Sequence, residues 1–463
     1  MSDFYGINLA LSSLFAQRRA IEIAGQNVAN ANTDGYTRQR IEQGARGAGL
    51  VPAIHSTWKG GGGGVDVLGI ERLRNAFFEL RAAQEHGNLA DLETMSRVYA
   101  RMELVFNEPS DTGIQAQLAD FWAGWHDVSN RPDDLAARTQ LLERARTLAT
   151  GFNQAASDLS RQWDSSLDQL ETIVSEVNSL GSRIAELNSA IIRASQGGLS
   201  PNELADQRDL LVSELSELIG ITVRPADHGA VDVLVGGTAL VQGAIAENLA
   251  VDTPAGTTIL NASTSPVRIL WAKDSFPAAV SGGQVGGLLT ALNTVLPDYR
   301  SRLDSVTQNL TDVVNNQHVL GVDLNGAAGT NMFSFDPLTG LSVLITDPAE
   351  IAAATAGSGL LDGGNAIALA NLATLAGGPD EEYQSLVISL GVDTQVTNRR
   401  VDIQADITRQ IDGIRDSEAG VNLDEEMANL VAFQRAYEAG SRFLTTIDSM
   451  LDTLINRTGL VGR

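Results

Sequence analysis

Cysteine is absent from this 463-residue chain, and lysine is nearly so, since Lys59 and Lys273 are the only lysines. The missing cysteine excludes disulfides, thiol nucleophiles and cysteine-ligated zinc or iron–sulfur sites. Arginine supplies almost all of the positive charge, and the formal net charge is -25. A surface this acidic repels phosphate backbones, so no nucleic acid is expected as a partner.

The residue patterns that mark enzyme active sites are also missing. The histidines are His55, His86, His126, His228 and His318, and they form neither an HExxH motif nor a pair at i, i+4 spacing. The sequence contains no GxSxG elbow and no GxxxxGK[ST] phosphate loop. We therefore expect a protein that is not an enzyme and that holds no metal and no cofactor.

Long apolar runs are lacking too. The longest uncharged stretch, residues 275–297, is interrupted by proline and glycine and is too weakly apolar to span a membrane. The opening segment MSDFYGINLALSSL lacks the basic region and the continuous apolar core of a secretory signal peptide. We expect no membrane insertion, and any export would use a route without a cleaved signal.

Large apolar residues recur at steps of three and four near the start of the chain. This first seam consists of Ile7, Leu11, Leu14, Ile21 and Val28. Arg18 and Gly25 fill its remaining positions, whereas Leu9, Phe15 and Ile23 lie off it. The spacing predicts a helix with a short coiled-coil stripe and a second apolar surface, so more than one neighbour is implied. The turn residues of NANTDGY should end this helix near Asn30.

A second and stronger seam lies near the end of the chain. It consists of Leu430, Phe433, Tyr437, Gly440, Leu444, Ile447, Leu451 and Leu454. Asn422 predicts the N-cap of the helix that carries it, with Glu425 as the reciprocal capping partner. We expect the two seams to pack against each other as an antiparallel coiled coil.

Between the seams the pattern is helical, then β-like, then helical again. Helical periodicity covers residues 89–106, 114–128, 133–195 and 204–218, and it returns at 286–320 and 381–416. The segments ITVRP, VDVLV and TALVQ are typical of strands, with Gly236 and Gly237 as a two-residue hairpin turn. Phe121, Trp122 and Trp125 have the spacing of one buried helix face.

The predicted fold class is mainly α with a smaller β-rich insert, an α+β protein built as a long helical bundle. We expect nested domains, each made from both an early and a late piece of the chain. Residues 1–45 with 420–463 form the terminal coiled-coil domain, 46–220 with 281–419 a long-helix domain with irregular and short-strand segments, and 221–280 a small β-rich outer domain.

Two terminal segments carry a family resemblance. The segment NVANANTDGYTRQR, with Asn27, Asn30, Thr33, Gly35 and Tyr36, resembles the NxxNxxTxGY/F motif of flagellar axial proteins. GYTRQ is similar to the version found in the hook-associated protein 1 family, and GVNLDEEMANLVAFQRAYEAGSRFLTTIDSMLDTLI resembles the C-terminal segment of rod, hook and junction proteins. Interior passages such as NELADQRDLLVSELSELIGITV resemble the same junction family and extend the likeness over most of the chain.

The resemblance implies a non-catalytic structural subunit of the bacterial flagellum. Such a subunit joins hook to filament at the hook–filament junction and allows filament assembly and motility. Its implied partners are copies of itself in a helical ring, the hook protein, the second junction protein and an export chaperone on the C-terminal helix. It implies secretion by type III export without a cleaved signal, and terminal helices that finish folding only on assembly.

Several alternatives remain open at this point. The chain could be another flagellar axial protein, such as the second junction protein or a hook or rod subunit. The seams alone also suit a generic coiled-coil scaffold protein. An amphipathic peripheral membrane protein is disfavoured by the acidic charge. A hydrolase in the β-rich insert would need a clustered acid–base pair, which the sequence does not present.

Overall fold

The computed structural model describes residues 3–46 and 63–457, and the prediction of a mainly α chain with smaller β segments is confirmed. The helices are α1 (Asp3–Ala29), α2 (Ala76–Phe106), α3 (Ile114–Asn130), α4 (Leu135–Gln196), α5 (Asn202–Leu218), α6 (Gly283–Thr290), α7 (Leu296–His318), α8 (Gly364–Ala370), α9 (Pro379–Ala419) and α10 (Leu423–Asp452). Residues 1–2, 47–62 and 458–463, which the expected domains included, lie outside the described residues.

The strands are short and form small antiparallel sheets. They are β1 (Gln39–Ala45), β2 (Val65–Arg72), β3 (Thr222–Pro225), β4 (Val231–Val235), β5 (Thr238–Gln242), β6 (Ile245–Ala246), β7 (Leu249–Asp252), β8 (Arg268–Trp271), β9 (Gly321–Val322), β10 (Phe333–Asp336), β11 (Gly340–Val343) and β12 (Ala354–Thr355). The pairs are β1–β2, β7–β8, β10–β11 and β9–β12, and the largest sheet has the order β3-β4-β5-β6. The β1–β2 hairpin beside α1 was not foreseen.

Helix α4 is the central element of the middle of the molecule. It runs unbroken for 62 residues through Gly151 and Gly181, and the Asp134 side chain caps its start by accepting from the Ala136 amide at 2.8 Å. Its fully buried positions, such as Leu141, Leu148, Leu159, Leu170, Val177 and Ile184, recur at helical spacing. Because this spacing keeps one face toward the same neighbours over many turns, the helix carries a single continuous core along its length.

The β-rich insert packs on α4. Asn188 on α4 donates to the Val231 carbonyl at 2.7 Å and accepts from the Val231 amide at 3.2 Å. Gly236 and Gly237 both have positive φ, at 55° and 87°, which confirms the predicted two-residue turn between β4 and β5. One hydrophobic cluster contains both α4 residues and insert residues such as Val233 and Leu240, so the insert shares the core of the helical middle.

The predicted aromatic face belongs to the same core. Phe121, Trp122 and Trp125 on α3 are fully buried, and the Phe121 and Trp122 rings lie 4.8 Å apart. The Trp122 indole donates to the Asp380 carboxylate at the start of α9 at 2.8 Å. The core described here runs from Met95 to Leu390 and includes no residue of α1 or α10. The paired chain ends therefore stand outside the main core.

Candidate assembly site at the paired chain ends

Helices α1 and α10 pack against each other in antiparallel orientation. The Ile447 side chain lies against Gly6, and the Leu14 side chain lies against Gly440. Near the other end of α1, the Asn27 amide donates to the Glu426 carboxylate at 3.1 Å. As the residue number increases along α1, the number of the contacting residue on α10 decreases. We call these two helices the terminal pair.

Small residues form the buried line of α1. Ala10, Ala16, Ala20, Ile23 and Ala24 are fully buried, while the predicted seam residues Ile7, Leu14, Ile21 and Val28 are half-buried and Leu11 is exposed. The buried line is therefore shifted by about one residue from the predicted seam. Alanine lets the neighbouring backbones approach closely, while Leu14 of the predicted seam reaches Gly440 of α10.

Helix α10 leaves most of its apolar surface open in the single chain. Leu430, Phe433, Gly440, Leu444, Ile447 and Leu451 are half-buried on the side facing α1, whereas Tyr437 is 40% exposed and Leu454 52% exposed. Met427, Val431, Phe443 and Met450 are between 43% and 59% exposed. Glu426 is the one fully buried side chain of this helix. A helix with this much apolar surface in water is typical of a binding surface.

Asn27, the first motif residue, is the centre of a buried hydrogen-bond network. Its amide nitrogen donates to the Gln39 carbonyl at 2.9 Å, and its oxygen accepts from the Gln39 amide at 3.0 Å. The Tyr36 hydroxyl donates to the same Asn27 oxygen at 2.9 Å. Asn27 therefore ties α1 to the first residue of β1 while also binding Glu426 of α10.

Arg38 completes this connection from the β1 side. Its guanidinium contacts Glu426 at 2.7 Å and Glu425 at 2.9 Å, and its backbone amide donates to the carbonyl of Ala419 at 2.9 Å. The Asn422 side chain caps α10 as predicted by accepting from the Glu425 amide at 3.3 Å. The prediction that the Glu425 side chain caps α10 in return is wrong, because the Glu425 carboxylate pairs with Arg38.

The remaining motif residues build the turn that brings the chain back to α10. The Asn30 side chain donates to the Gln26 carbonyl at 3.0 Å, and the Thr33 hydroxyl donates to the Asn30 side-chain oxygen at 3.2 Å. Gly35 has φ of +75°, a conformation that other residues rarely adopt, and it lies against Leu210 of α5. α1 ends at Ala29, close to the predicted end near Asn30.

Burial and nearby carboxylates keep the Tyr36 hydroxyl protonated. Burial, together with Asp206, Glu203 and Glu426, raises the pKa of Tyr36 to about 12. The hydroxyl therefore remains a hydrogen-bond donor to Asn27 at any physiological pH.

A cluster of arginine and aspartate residues joins the terminal pair and its hairpin to the helical middle. Arg72 of β2 contacts both Asp206 and Asp209 of α5 at 2.8 Å, and Arg74 and Arg208 also pair with Asp209. Burial alone would raise the pKa of Asp209, but the three arginines overcome it and hold that pKa below its usual range. Asp209 is therefore ionised, and the joint is a compact set of charge-assisted contacts.

The described side chains do not form a metal-binding cluster. Within residues 3–46 and 63–457, no group of three or more His, Asp or Glu side chains could hold a metal ion. Among the described helices, none is long and apolar enough to cross a membrane.

Sequence reasoning from the residues missed Arg38, Gln39 and Glu426, which the structure joins to the motif. Glu426 gave a weak signal, because an acidic residue in a first helical turn is explained by the helix dipole alone. Arg38 gave no local signal, since its partners Glu425 and Glu426 lie 387 and 388 positions away.

Comparison with known proteins points to one family. Residues 99–333 match the model of the flagellar hook-associated protein FlgK helical domain. Residues 7–37 match the flagella basal body rod protein family, and residues 416–457 match the C-terminal family of flagellar basal body rod FlgEFG protein. The two rod-type matches fall on the terminal pair, and the junction-type match falls on the helical middle.

Full-length relatives agree with the family models. Flagellar hook-associated protein 1 of Bacillus subtilis is 30% identical over 100% of both chains. Flagellar hook-associated protein 1 of Escherichia coli is 27% identical, covering 97% of this chain and 99% of the relative.

A solved structure, that of the flagellar hook junction protein FlgK from Burkholderia pseudomallei, has the same fold. It matches with a TM-score of 0.64 at 19% identity, covering 73% of this chain and 99% of that one. Together with the sequence matches, this identifies the chain as a member of the flagellar hook-associated protein 1 family, the structural proteins of the flagellar hook–filament junction.

Proposed function

We propose that the chain works without catalysis, as a subunit whose terminal pair forms the axial core of a tube at the hook–filament junction. The seam residues Ile7, Leu11, Leu14, Ile21, Val28, Leu430, Phe433, Tyr437, Leu444, Ile447, Leu451 and Leu454 are the proposed assembly residues. Asn27, Asn30, Thr33, Gly35 and Tyr36 position the pair and do not bind a ligand.

The observation that carries this proposal is the open apolar surface of the terminal pair. α10 buries only Glu426 fully and exposes Met427, Val431, Phe443 and Met450, while α1 exposes Phe15. A two-helix unit outside the main core gains free energy when neighbours cover such side chains. Contacts that repeat from one copy to the next with a rise along an axis build an open helical assembly.

The domain division stays part of the proposal. Residues 1–45 with 420–463 form the axial unit, 46–220 with 281–419 the long-helix unit, and 221–280 the β-rich outer part. The Arg72, Arg74 and Asp209 contacts support a defined joint between the first two. The insert and α4 share one hydrophobic core, which supports close packing between the last two parts.

The proposed partners are further copies of the chain in a helical ring, the hook protein on one side and the second junction protein on the other. Before assembly, an export chaperone would cover the apolar face of α10. We place the mature protein outside the cell, in the flagellum, after type III export without a cleaved signal. The family membership and the open surface of α10 support these assignments.

The substitution Leu444→Asp tests the proposal. The half-buried Leu444 lies in the seam that faces α1, and a carboxylate there would be buried without a partner once neighbours cover the pair. We expect cells that carry this variant to make hooks, to lack filaments and to shed flagellin into the medium, as seen by electron microscopy and immunoblot.

The matched control is Thr147→Asp, which places the same charge on an exposed position of α4. This variant should support normal filaments. Normal filament growth with Leu444→Asp would contradict the axial role of the terminal pair.

A further inference from the structure

Helix α9 carries two apolar faces, and one of them packs against the rest of the described chain. Its inner face packs on α2 and on the core through Tyr383, Leu386 and Leu390, which are fully buried. Its outer face carries aliphatic side chains that are between 39% and 66% exposed. We call these residues the outer stripe of α9: Ile388, Val392, Val396, Ile403 and Ile407.

The outer stripe follows one face of the helix and is of appreciable size. Its residues are spaced at four or seven positions and therefore lie on one face of the helix. From Ile388 to Ile407 the stripe is about 29 Å long at 1.5 Å per residue. At their exposures the five side chains present on the order of 400 Å² of apolar surface, in the range where surface patches of single chains are often functional.

The neighbouring helix extends this surface. Helices α2 and α9 run antiparallel, because Ser96 hydrogen-bonds Asn398 while Phe106 packs near Tyr383. This register places Leu104, which is 79% exposed, level with the Ile388 end of the stripe.

Two arginines interrupt the stripe and indicate the charge of what covers it. Arg399 and Arg400 lie between Val396 and Ile403, both are exposed, and neither forms a salt bridge within the described part of the chain. Burying them against another surface requires carboxylates opposite them, since an unpaired buried charge is strongly unfavourable. The covering surface is thus helical or flat, partly apolar and acidic.

A second copy of this chain presents a helical surface with the required acidic charge. The chain has a net charge of -25, and the middle of α4 exposes Asp164, Asp168 and Glu171. Within residues 3–46 and 63–457, none of these three carboxylates forms a salt bridge. Small side chains such as Ser165 and Thr172 lie among them, so an aliphatic stripe could approach the helix closely.

We propose that the outer stripe of α9 binds the acidic middle of α4 on a neighbouring copy. This proposal rests on the assembly role proposed above and adds a lateral contact between the helical middles. The contact joins two different faces, which suits an open helical arrangement of copies. Its area is about half of the roughly 800 Å² per partner that a stable interface buries, so it forms only where the terminal pairs already hold copies together.

Photo-crosslinking in assembled flagella tests the contact. A photoreactive residue replaces Val396, and the control position is Thr147 on the exposed side of α4. Irradiation of isolated hook–filament particles should give a product of twice the chain mass from position 396, with its crosslinked peptide inside residues 135–196. A crosslink only to a different protein, or none although the variant is incorporated, overturns the proposal.

Charge exchange identifies the opposite surface. The double variant Arg399→Glu, Arg400→Glu should lower the number of filaments per cell about tenfold, and adding Asp164→Arg and Asp168→Arg should restore it. No restoration overturns the assignment to α4. The axial role predicts that Leu444→Asp prevents incorporation, so incorporated α9 variants that give no crosslink refute this contact and leave the axial role intact.

Discussion

The helical middle and the terminal pair use the same sequence pattern with opposite results. α4 and α10 both repeat apolar residues at steps of three and four, yet Leu141, Leu159 and Leu170 are fully buried, whereas Leu444 and Leu451 are half-buried. Such spacing thus predicts a helix and its apolar face, but it does not predict which molecule covers that face. In α4 the same chain supplies the cover, and in α10 we infer that other subunits do.

Truncating matched leucines in the two regions should separate them most clearly. Leu159→Ala opens a cavity in the core of α4, and we expect the free energy of unfolding to fall by about 3 kcal/mol. Leu444→Ala removes a side chain that is already half in water, so the isolated chain should lose less than about 1 kcal/mol. Urea unfolding of the purified chain measures both, and equal losses would remove the distinction.

Two glycines offer a second matched pair. A Cβ at Gly287 would lie 2.9 Å from the Asp91 carbonyl oxygen, which is backbone and cannot move aside, so Gly287→Ala should cost roughly 2 kcal/mol. A Cβ at Gly440 would lie 3.2 Å from the end of the flexible, half-buried Leu14 side chain. The helix-propensity gain of alanine offsets that contact, so Gly440→Ala should change stability by less than about 0.5 kcal/mol. Thermal unfolding compares the two; a large loss with Gly440→Ala would mean that the terminal pair is packed as rigidly as the core.

Acid should affect the middle through His318. Its Nδ1–H donates to the Thr330 carbonyl at 2.5 Å, its Nε2 accepts from the Ala352 amide at 2.9 Å, and burial and then Arg138 lower the pKa of the imidazole. The unfolded chain binds this proton near pH 6.5 and the folded chain only at lower pH. The contribution of His318 to the free energy of unfolding is therefore present above about pH 6.5. It falls as the pH drops, by at most about 1.4 kcal/mol per pH unit.

The measurement is urea unfolding between pH 7.5 and 5, chosen around the histidine pKa. The variant His318→Gln should have a flatter pH profile than the native chain. Identical pH profiles for the native chain and His318→Gln would show that His318 takes up its proton equally in both states.

Local signals in the sequence predicted a large part of the fold. The hairpin turn at Gly236 and Gly237, the Asn422 cap and the helical periodicity of residues 133–195 each depend on neighbouring residues, and each is present in the structure. Whether those residues form one helix or two, with breaks at Gly151 and Gly181, was left open by the sequence, and the structure has one helix. The β1–β2 hairpin was missed because QRIEQGA has few apolar residues to alternate. The apolar pattern was identifiable from one segment, but the pairing of strands was not.

The site was less predictable than the fold. Counting large apolar residues favoured the line through Leu11 and Leu14, whereas the fully buried positions of α1 include Ala16, Ala20 and Ala24. Alanine is too common in helices to mark a contact by itself. The motif residues were recognised by resemblance, and their physical roles required the fold, because Asn27 finds its partners only after β1 and α10 are in place.

The hydrogen bond from Asn27 to Glu426 also constrains the timing of folding, because it joins positions 399 residues apart. Whichever end of the chain is free to fold first, its helix has no partner until nearly the whole polypeptide is available. Contacts between such distant positions form slowly in any chain. The helical middle waits almost as long, because Ser96 of α2 binds Asn398 of α9 across 302 positions, so both regions are completed only when the last part of the chain arrives.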